Sequence, residues 1–303
     1  MGCAFSSADI TGDGMKIKII KELAKGGFST VLLCQDLHNG DKYAVKKIET
    51  HSKEEIDRVM LEVEAHKLLA ATPSAIQLVS LIQLDSIFYL VLPFYSLGNV
   101  ADDLATRKPA NNHLSFSEVV TFAIDVCKAV KMLHEKGFAH RDLKPANFLI
   151  CDGRKGVVLC DFGSVDRIPF EVSSAREHQR MLDAAAEFCS MPYRAPELFT
   201  CDIGSTITAA IDLWSLGCCL YALCYFQSPF DAVYEKGNSI ALAAQSPDKI
   251  DYPEDVPYPP RLIQLIKQLL VFESTQRLSI TQLLEELEQL RTSLPKESPV
   301  LYT

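Results

Sequence analysis

His140-Arg141-Asp142-Leu143-Lys144-Pro145-Ala146-Asn147 sets an imidazole, a guanidinium, a carboxylate, an ammonium and a carboxamide within eight residues. Phe148-Leu149-Ile150-Cys151 follows, then the turn-prone Asp152-Gly153, then Val157-Val158-Leu159-Cys160, and the run ends on Asp161-Phe162-Gly163. Two short apolar runs about a turn predict a hairpin. A hairpin returns to its start, so the spacing predicts Asn147 and Asp161 side by side. Two hard oxygen ligands suit Mg²⁺ that carries phosphate. Asp142, one loop away, is left as a carboxylate able to accept a proton.

This constellation resembles the protein-kinase catalytic loop, H-R-D-L-K-x-x-N, with its D-F-G partner. The resemblance implies a role for each residue. Asp142 orients and deprotonates a substrate hydroxyl, Lys144 neutralises the migrating phosphoryl group, and Asn147 and Asp161 hold metal. It implies ATP with Mg²⁺, or Mn²⁺ in its place, as cofactors. It also implies an α+β, bilobal fold, with a small antiparallel-sheet lobe carrying one main helix and a larger, mainly helical lobe. His140 is then a structural hydrogen-bonder behind the loop and not the base.

Composition agrees with an intracellular enzyme. The chain has 303 residues, 48% of them apolar, enough for one large core or two smaller ones. Its net charge of −9 arises from 39 acidic against 30 basic residues without a basic stripe, which disfavours a nucleic-acid partner. Ten cysteines form no C-x-x-C pair and follow no secretory leader, so reduced core thiols are expected instead of disulfides or zinc. A monomer is the favoured oligomeric state.

From residue 17 the pattern is one of short apolar runs between turns, predicting strands over 17–23, 31–35 and 42–48. The first hairpin carries Leu23-Ala24-Lys25-Gly26-Gly27-Phe28-Ser29-Thr30-Val31. Its glycines let backbone N–H groups approach phosphates. The segment resembles the kinase glycine-rich loop, with Ala24 and Ser29 in place of the first and third glycines. Lys46, in Tyr43-Ala44-Val45-Lys46, stands where the family places its phosphate-binding lysine. A helix is predicted over 53–69, with Ile56, Met60, Val63 and Leu68 as the face on the sheet. It offers Glu62 and Glu64 as partners for Lys46, the registers favouring Glu62. The run 88–92 reads as a buried strand, and Pro93-Phe94-Tyr95-Ser96-Leu97-Gly98-Asn99 as the hinge. Pro93 has no N–H, so Tyr95 or a neighbour must donate to adenine. By the same resemblance Leu92 guards the back of the pocket, while Leu23, Val31, Ala44 and Leu149 sandwich the base.

A polar stretch at 107–113 precedes a helix predicted from Ser117 to about Lys136, with Phe122, Val126, Val130 and Leu133 on one stripe and Gly137 as its stop. The segment from Asp161 to Ala195-Pro196-Glu197 contains Ser164, Ser173, Ser174 and Ser190 and no threonine. Arg141 offers a clamp for phosphate on one of these serines. Alternatively, a helical stretch at 183–188 orders the segment unmodified, and little dependence on phosphorylation is expected. The uncharged run 213–230 reads as a buried helix and not a membrane span. Asp212 is expected to anchor the catalytic loop and Arg277 to pair with Glu197. Amphipathic helices are predicted over 261–272 and 279–290.

The domain plan is a flexible, lipid-anchored segment over 1–15 and a kinase domain over 16–292, followed by a tail over 293–303. Within the domain the small lobe spans 16–93, the hinge 93–99 and the large lobe 99–292. Met1-Gly2-Cys3-Ala4-Phe5-Ser6 fits the N-myristoylation pattern at Gly2, with Cys3 as a palmitoylation site supplying the second anchor. Gly26-Gly27-Phe28-Ser29, Leu92-Pro93-Phe94 and residues 193–199 and 234–243 resemble the Numb-associated kinase group. That likeness implies phosphorylation of protein Ser/Thr hydroxyls at the cytoplasmic face of Golgi or plasma membranes, with a cytosolic pool. The alternative is a nucleotide-binding scaffold weakened by its glycine loop.

Overall fold

The computed structural model describes residues 9–27 and 29–293. Gly2, Cys3 and Phe28 lie outside them, as does most of the 293–303 tail. The chain divides into two compact units, one of residues up to Ser96 together with Asp161–Gly163, the other of Leu97–Cys160 and the chain from Ser164 onward.

The first unit is built on a six-stranded antiparallel sheet of β1 (Ile10–Gly12), β2 (Met15–Lys25), β3 (Ser29–Asp36), β4 (Lys42–Glu49), β5 (Ser80–Leu84) and β6 (Ile87–Pro93). Its order is β1-β2-β3-β4-β6-β5, and α1 (Lys53–Leu68) lies between β4 and β5 in sequence. The sheet starts earlier than the sequence boundary at residue 16. Asp13-Gly14, both at positive φ, joins β1 to β2 as a two-residue hairpin, and Ile10 is buried against Ile17 and Ile82. Only three strand residues precede that turn, too few to show as an alternating pattern.

Side chains alternate across the sheet. One face buries Ile17, Leu32, Val45 and Val91, whereas Ile48, Phe88 and Leu90 face α1 and meet its Val59 and Val63. Ser52 caps α1 by accepting from the Glu55 N–H. The buried stripe of α1 is Val59, Glu62, Val63 and His66, while Ile56 and Met60 are exposed, against expectation. An ion pair and a hydrogen-bonded histidine occupy positions that apolar residues would otherwise fill, so apolar periodicity found Val63 but misplaced Ile56 and Met60.

The second unit is mainly helical. Its elements are α2 (Val100–Arg107), α3 (Phe116–Glu135), β7 (Phe138–Ala139), β8 (Phe148–Ile150), β9 (Val157–Leu159), β10 (Asp166–Arg167), β11 (Phe170–Glu171), α4 (Ala175–Phe188), α5 (Glu197–Thr200), β12 (Thr206–Ile207), α6 (Ala210–Tyr225), α7 (Asp231–Glu235), α8 (Ile240–Ala244), α9 (Pro260–Leu269) and α10 (Ile280–Thr292). Helix α3 buries Phe122, Val126, Val130 and Leu133 as expected and stops at Gly137, whose φ is +78°. Helix α6 is buried nearly throughout, and no helix among the described residues is long and apolar enough to cross a membrane. Helix α2 was not anticipated, although Asn99 caps it by accepting from the Asp102 N–H. Helix α4 begins eight residues before the expected 183–188 stretch, at an N-cap formed by Ser174.

Candidate active site

In the first unit the alternation of β4 turns Lys46 to the same side as Ile48, towards α1. Its Nζ lies 2.7 Å from Glu62 Oε1 and 2.7 Å from Asp161 Oδ1. Glu62, and not Glu64, is therefore the partner. Lys46 and Glu62 are almost wholly enclosed, whereas the Asp161 side chain is 46% exposed. Burial pushes the Lys46 ammonium down, but the Asp161 and Glu62 carboxylates outweigh it and hold its pKa above the ordinary range. Burial raises Glu62, against the opposing pull of Lys46. Two carboxylates converge on one ammonium, and the Arg58 guanidinium acts on Glu62 from the preceding turn of α1, so the charges of this cluster balance.

Asp161 reaches Lys46 because its neighbours are fixed. Phe162 is fully buried with the His66 ring edge-on at 4.8 Å, and Arg58 Nε donates to the Gly163 carbonyl at 2.9 Å. A Cβ at position 163 would sit 3.0 Å from Lys46 Nζ and 3.2 Å from Asp161 Oδ1, so glycine permits the approach. In the hairpin of β2 and β3, Ala24 pairs with Val31 and Lys25 with Thr30. Gly26 N–H donates to Ser29 O at 2.8 Å, so this amide is used within the loop and does not stand open to phosphate. Gly27 follows in the turn. Ala44 pairs with Leu92 across β4 and β6, Tyr43 pairs with Pro93, and Leu23 lies at an irregularity of β2. Phe94 and Tyr95 precede the unit boundary at Ser96, inside the expected hinge.

In the second unit the loop between β7 and β8 carries His140, Arg141, Asp142, Lys144 and Asn147. Asp212, at the start of α6 and fully buried, accepts from the His140 N–H at 2.7 Å and the Arg141 N–H at 2.8 Å, and pairs with His134 Nε2 at 2.8 Å. Burial alone would raise the Asp212 carboxyl, but the His134 contact and the neighbouring donors bring it below the usual range, so it stays ionised. It anchors the loop as expected. His140 Nδ1 lies 3.3 Å from the Asp142 N–H, inside the loop and behind the carboxylate.

Both Asp142 oxygens are positioned by the chain itself. Oδ1 accepts from the Ser190 N–H at 2.9 Å, and Oδ2 from Lys144 Nζ at 2.7 Å. Lys144 also donates to Ser190 Oγ at 2.7 Å. Asn147 Nδ2 donates to the Asp142 carbonyl at 2.8 Å, which commits the nitrogen of its amide and turns the oxygen, a hard ligand, elsewhere. The β8–β9 hairpin exists, with Leu149 opposite Val158, and Cys160 N–H returns to the Asn147 carbonyl at 2.9 Å. The chain is thereby delivered to Asp161 as the spacing implied. Two supports were missed: Arg58, one turn before Glu62, and His134, on the Asp212-facing side of α3.

Residues 17–287 match the family model described as protein kinase domain. The chain is 33% identical to serine/threonine-protein kinase 16 of Homo sapiens over 297 residues, covering 97% of this chain and 96% of that one. It is 29% identical to serine/threonine-protein kinase ppk13 of Schizosaccharomyces pombe, covering 90% of each chain. It is 25% identical to serine/threonine-protein kinase ENV7 of Saccharomyces cerevisiae, covering 95% of each. With its lysine–glutamate–aspartate cluster in one unit and its aspartate–lysine–asparagine loop in the other, the chain belongs to the protein kinase domain family.

Proposed function

We propose that the protein transfers the γ-phosphoryl group of ATP to serine or threonine hydroxyls of other proteins. The observation that carries this reading is the ordered state of both halves of the chemistry. Lys46 is aimed by Glu62 and Asp161, and Asp142 is aimed by Lys144 and Ser190. Asp142 accepts the proton of the incoming hydroxyl, and Lys144 offsets charge on the moving phosphoryl group. Lys46 holds the phosphates of the nucleotide. Asn147 and Asp161 offer the amide and carboxylate oxygens that Mg²⁺ prefers. Held by such oxygens, the ion would neutralise phosphate charge that builds up in the transition state. In the first unit Leu23, Val31, Ala44 and Leu92 would supply apolar surface for the base, and backbone groups from Pro93 to Tyr95 its polar contacts.

Radiolabel transfer from ATP with Mg²⁺ to protein substrates, compared between the native chain and Asp142→Asn, tests the reading. Loss of transfer in the variant is expected. Equal labelling by both proteins would instead favour the scaffold, for which the internally bonded Gly26 amide is the one supporting feature.

Within the family the chain resembles acylated kinases of the serine/threonine-protein kinase 16 kind, on the likeness noted above and on Gly2 and Cys3. Myristate at Gly2 and palmitate at Cys3 would tether it to the cytoplasmic face of Golgi or plasma membranes. Gly2→Ala is expected to move the protein from the membrane to the soluble fraction, and an unchanged distribution would reject the tether.

A further inference from the structure

Arg141 precedes Asp142, and its side chain is only 3% exposed. A guanidinium cannot shed its charge, so burial demands an anion. The sequence offers two sources, a phosphate added to a serine of the segment from Asp161 to Glu197 or a carboxylate already in the chain. All four serines of that segment are bonded elsewhere. Ser164 Oγ donates to the Phe188 carbonyl, Ser173 and Ser174 bond Glu177 at the start of α4, and Ser190 accepts from Lys144. The anion beside Arg141 is Asp166, whose Oδ2 lies 2.6 Å from Nη1.

Asp166 is held in place from its own strand. It pairs with Ala139 of β7, and the neighbouring Arg167 lies over the Phe138 ring at 4.7 Å. Arg141 and Asp166 line a crevice whose other walls include Ile168, Phe170, Met181 and Leu198, so no second carboxylate is among its lining groups. The remaining Nε and Nη2 of Arg141 are buried, and the Cys189 thiol interacts with this guanidinium. Arg141 is thus gripped at both ends, its N–H by Asp212 and its guanidinium by Asp166, while its backbone stands at φ +72°. The next peptide carries Asp142.

We propose that Asp166 is a positioning residue for phosphoryl transfer: a resident carboxylate that does for Arg141 what an added phosphate would, so that the reaction proceeds without phosphorylation of the segment. This rests on the kinase reading above. Asp166 acts through Arg141 on the orientation of Asp142, and its side chain, 42% exposed, leaves the pair open to small solutes on one side.

The full chain is assayed untreated and after phosphatase digestion, with the phosphatase removed and dephosphorylation confirmed by intact mass. Asp142→Asn, Asp166→Ala and Asp166→Glu are assayed in parallel. The treated native protein is expected to keep its kcat. Asp166→Ala is expected to lose about tenfold in kcat, the size of one charge-assisted hydrogen bond, with KM for ATP unchanged. Asp166→Glu recovers it, and formate restores Asp166→Ala but not Asp166→Ala combined with Arg141→Met. If Asp166→Ala does not fold, Asp166→Asn, which keeps the shape and removes the charge, takes its place. Loss of most activity on dephosphorylation, an undiminished kcat in Asp166→Ala, or no recovery with formate overturns the proposal. Native activity no greater than that of Asp142→Asn overturns the kinase reading itself, a separate result.

Discussion

Replacing Glu197 by alanine is expected to destabilise the second unit by about 3 kcal/mol, the lower end of what loss of one partner costs a buried pair. The Arg277 side chain has no exposed surface, and all five of its N–H donors find acceptors. Two go to Glu197, at 2.7 and 2.8 Å, and three to the carbonyls of Val271, Ala210 and Phe272. Alanine at 197 strands two donors of a permanent cation, each bond to a charged group contributing roughly 1.5–3 kcal/mol. The three carbonyls remain, and Glu197 is 22% exposed, so water reaches part of the vacated space and the lower end applies. Trp214, the single tryptophan, lies under the Arg277 guanidinium at 5.2 Å and reports urea unfolding by fluorescence. Arg277→Met keeps an apolar stem over that ring, so combining it with Glu197→Ala should recover most of the loss, since no charge is left stranded. A loss below about 1 kcal/mol in Glu197→Ala, or a double variant as unstable as the sum of the singles, refutes the reasoning.

Three further outcomes follow from particular contacts. Burial pushes the His66 imidazole down from 6.5 to about 4, with the Ile76 carbonyl, Lys46 and Asp161 as smaller influences. The unfolded chain then takes up this proton before the native one does. The contribution of neutral His66 is complete above pH 6.5 and falls by up to roughly 3 kcal/mol towards pH 4. His66→Phe should flatten that loss in urea titrations at pH 7 and pH 5, and the same pH dependence in both proteins would count against it. A Cβ at Gly217 would lie 2.9 Å from Leu269 Cβ and from Leu270 Cδ2, so Gly217→Ala should cost about 1–3 kcal/mol and lower the melting temperature. Glu62→Gln keeps an acceptor for Lys46 but removes one of its two counter-charges, and should lower kcat/KM for ATP at least about tenfold, with the melt little changed; unaltered kinetics would mean the Glu62 charge does not aim Lys46.

How far the sequence reaches depends on where the decisive contacts lie along it. The hairpin of β8 and β9 was legible because two short apolar runs about the turn-prone Asp152-Gly153 are local features, and they fix where Asp161 must start. Lys46 was legible through the resemblance of Tyr43-Ala44-Val45-Lys46 to the kinase strand that carries such a lysine, and Glu62 through the registers of α1 and the strand that follows. The buried stripe of α1 was not, because a charge and an imidazole occupy it and their partners, Lys46 and the Ile76 carbonyl, come from elsewhere in the fold. The pairing of Arg141 with Asp166 was equally hidden. Twenty-five residues separate them, and a lone aspartate in a two-residue strand carries no pattern.

The distribution of backbone strain separates Arg141 and Asp161 from the rest of the described residues. Positive φ at a residue other than glycine is uncommon and costs of order 1–3 kcal/mol when the surroundings enforce it. Asp13 and Asp85 take it in hairpin turns, Asn111, Cys201 and Phe226 at helix ends, and Arg154 in the turn between β8 and β9. Each of those ends or reverses an element. Arg141 and Asp161 do neither, yet they stand at φ +72° and +62°. Glycine would remove the strain at both positions. It would also remove the guanidinium that meets Asp166 and the carboxylate that meets Lys46. The strain is therefore tied to the side chains, and local bonds offset it: Asp212 and Asp166 at Arg141, Lys46 at Asp161. A fold selected for stability alone would place glycine there. This one holds two charged groups in a costly conformation next to Asp142 and Gly163, as the proposed phosphoryl transfer, which depends on orientation, requires.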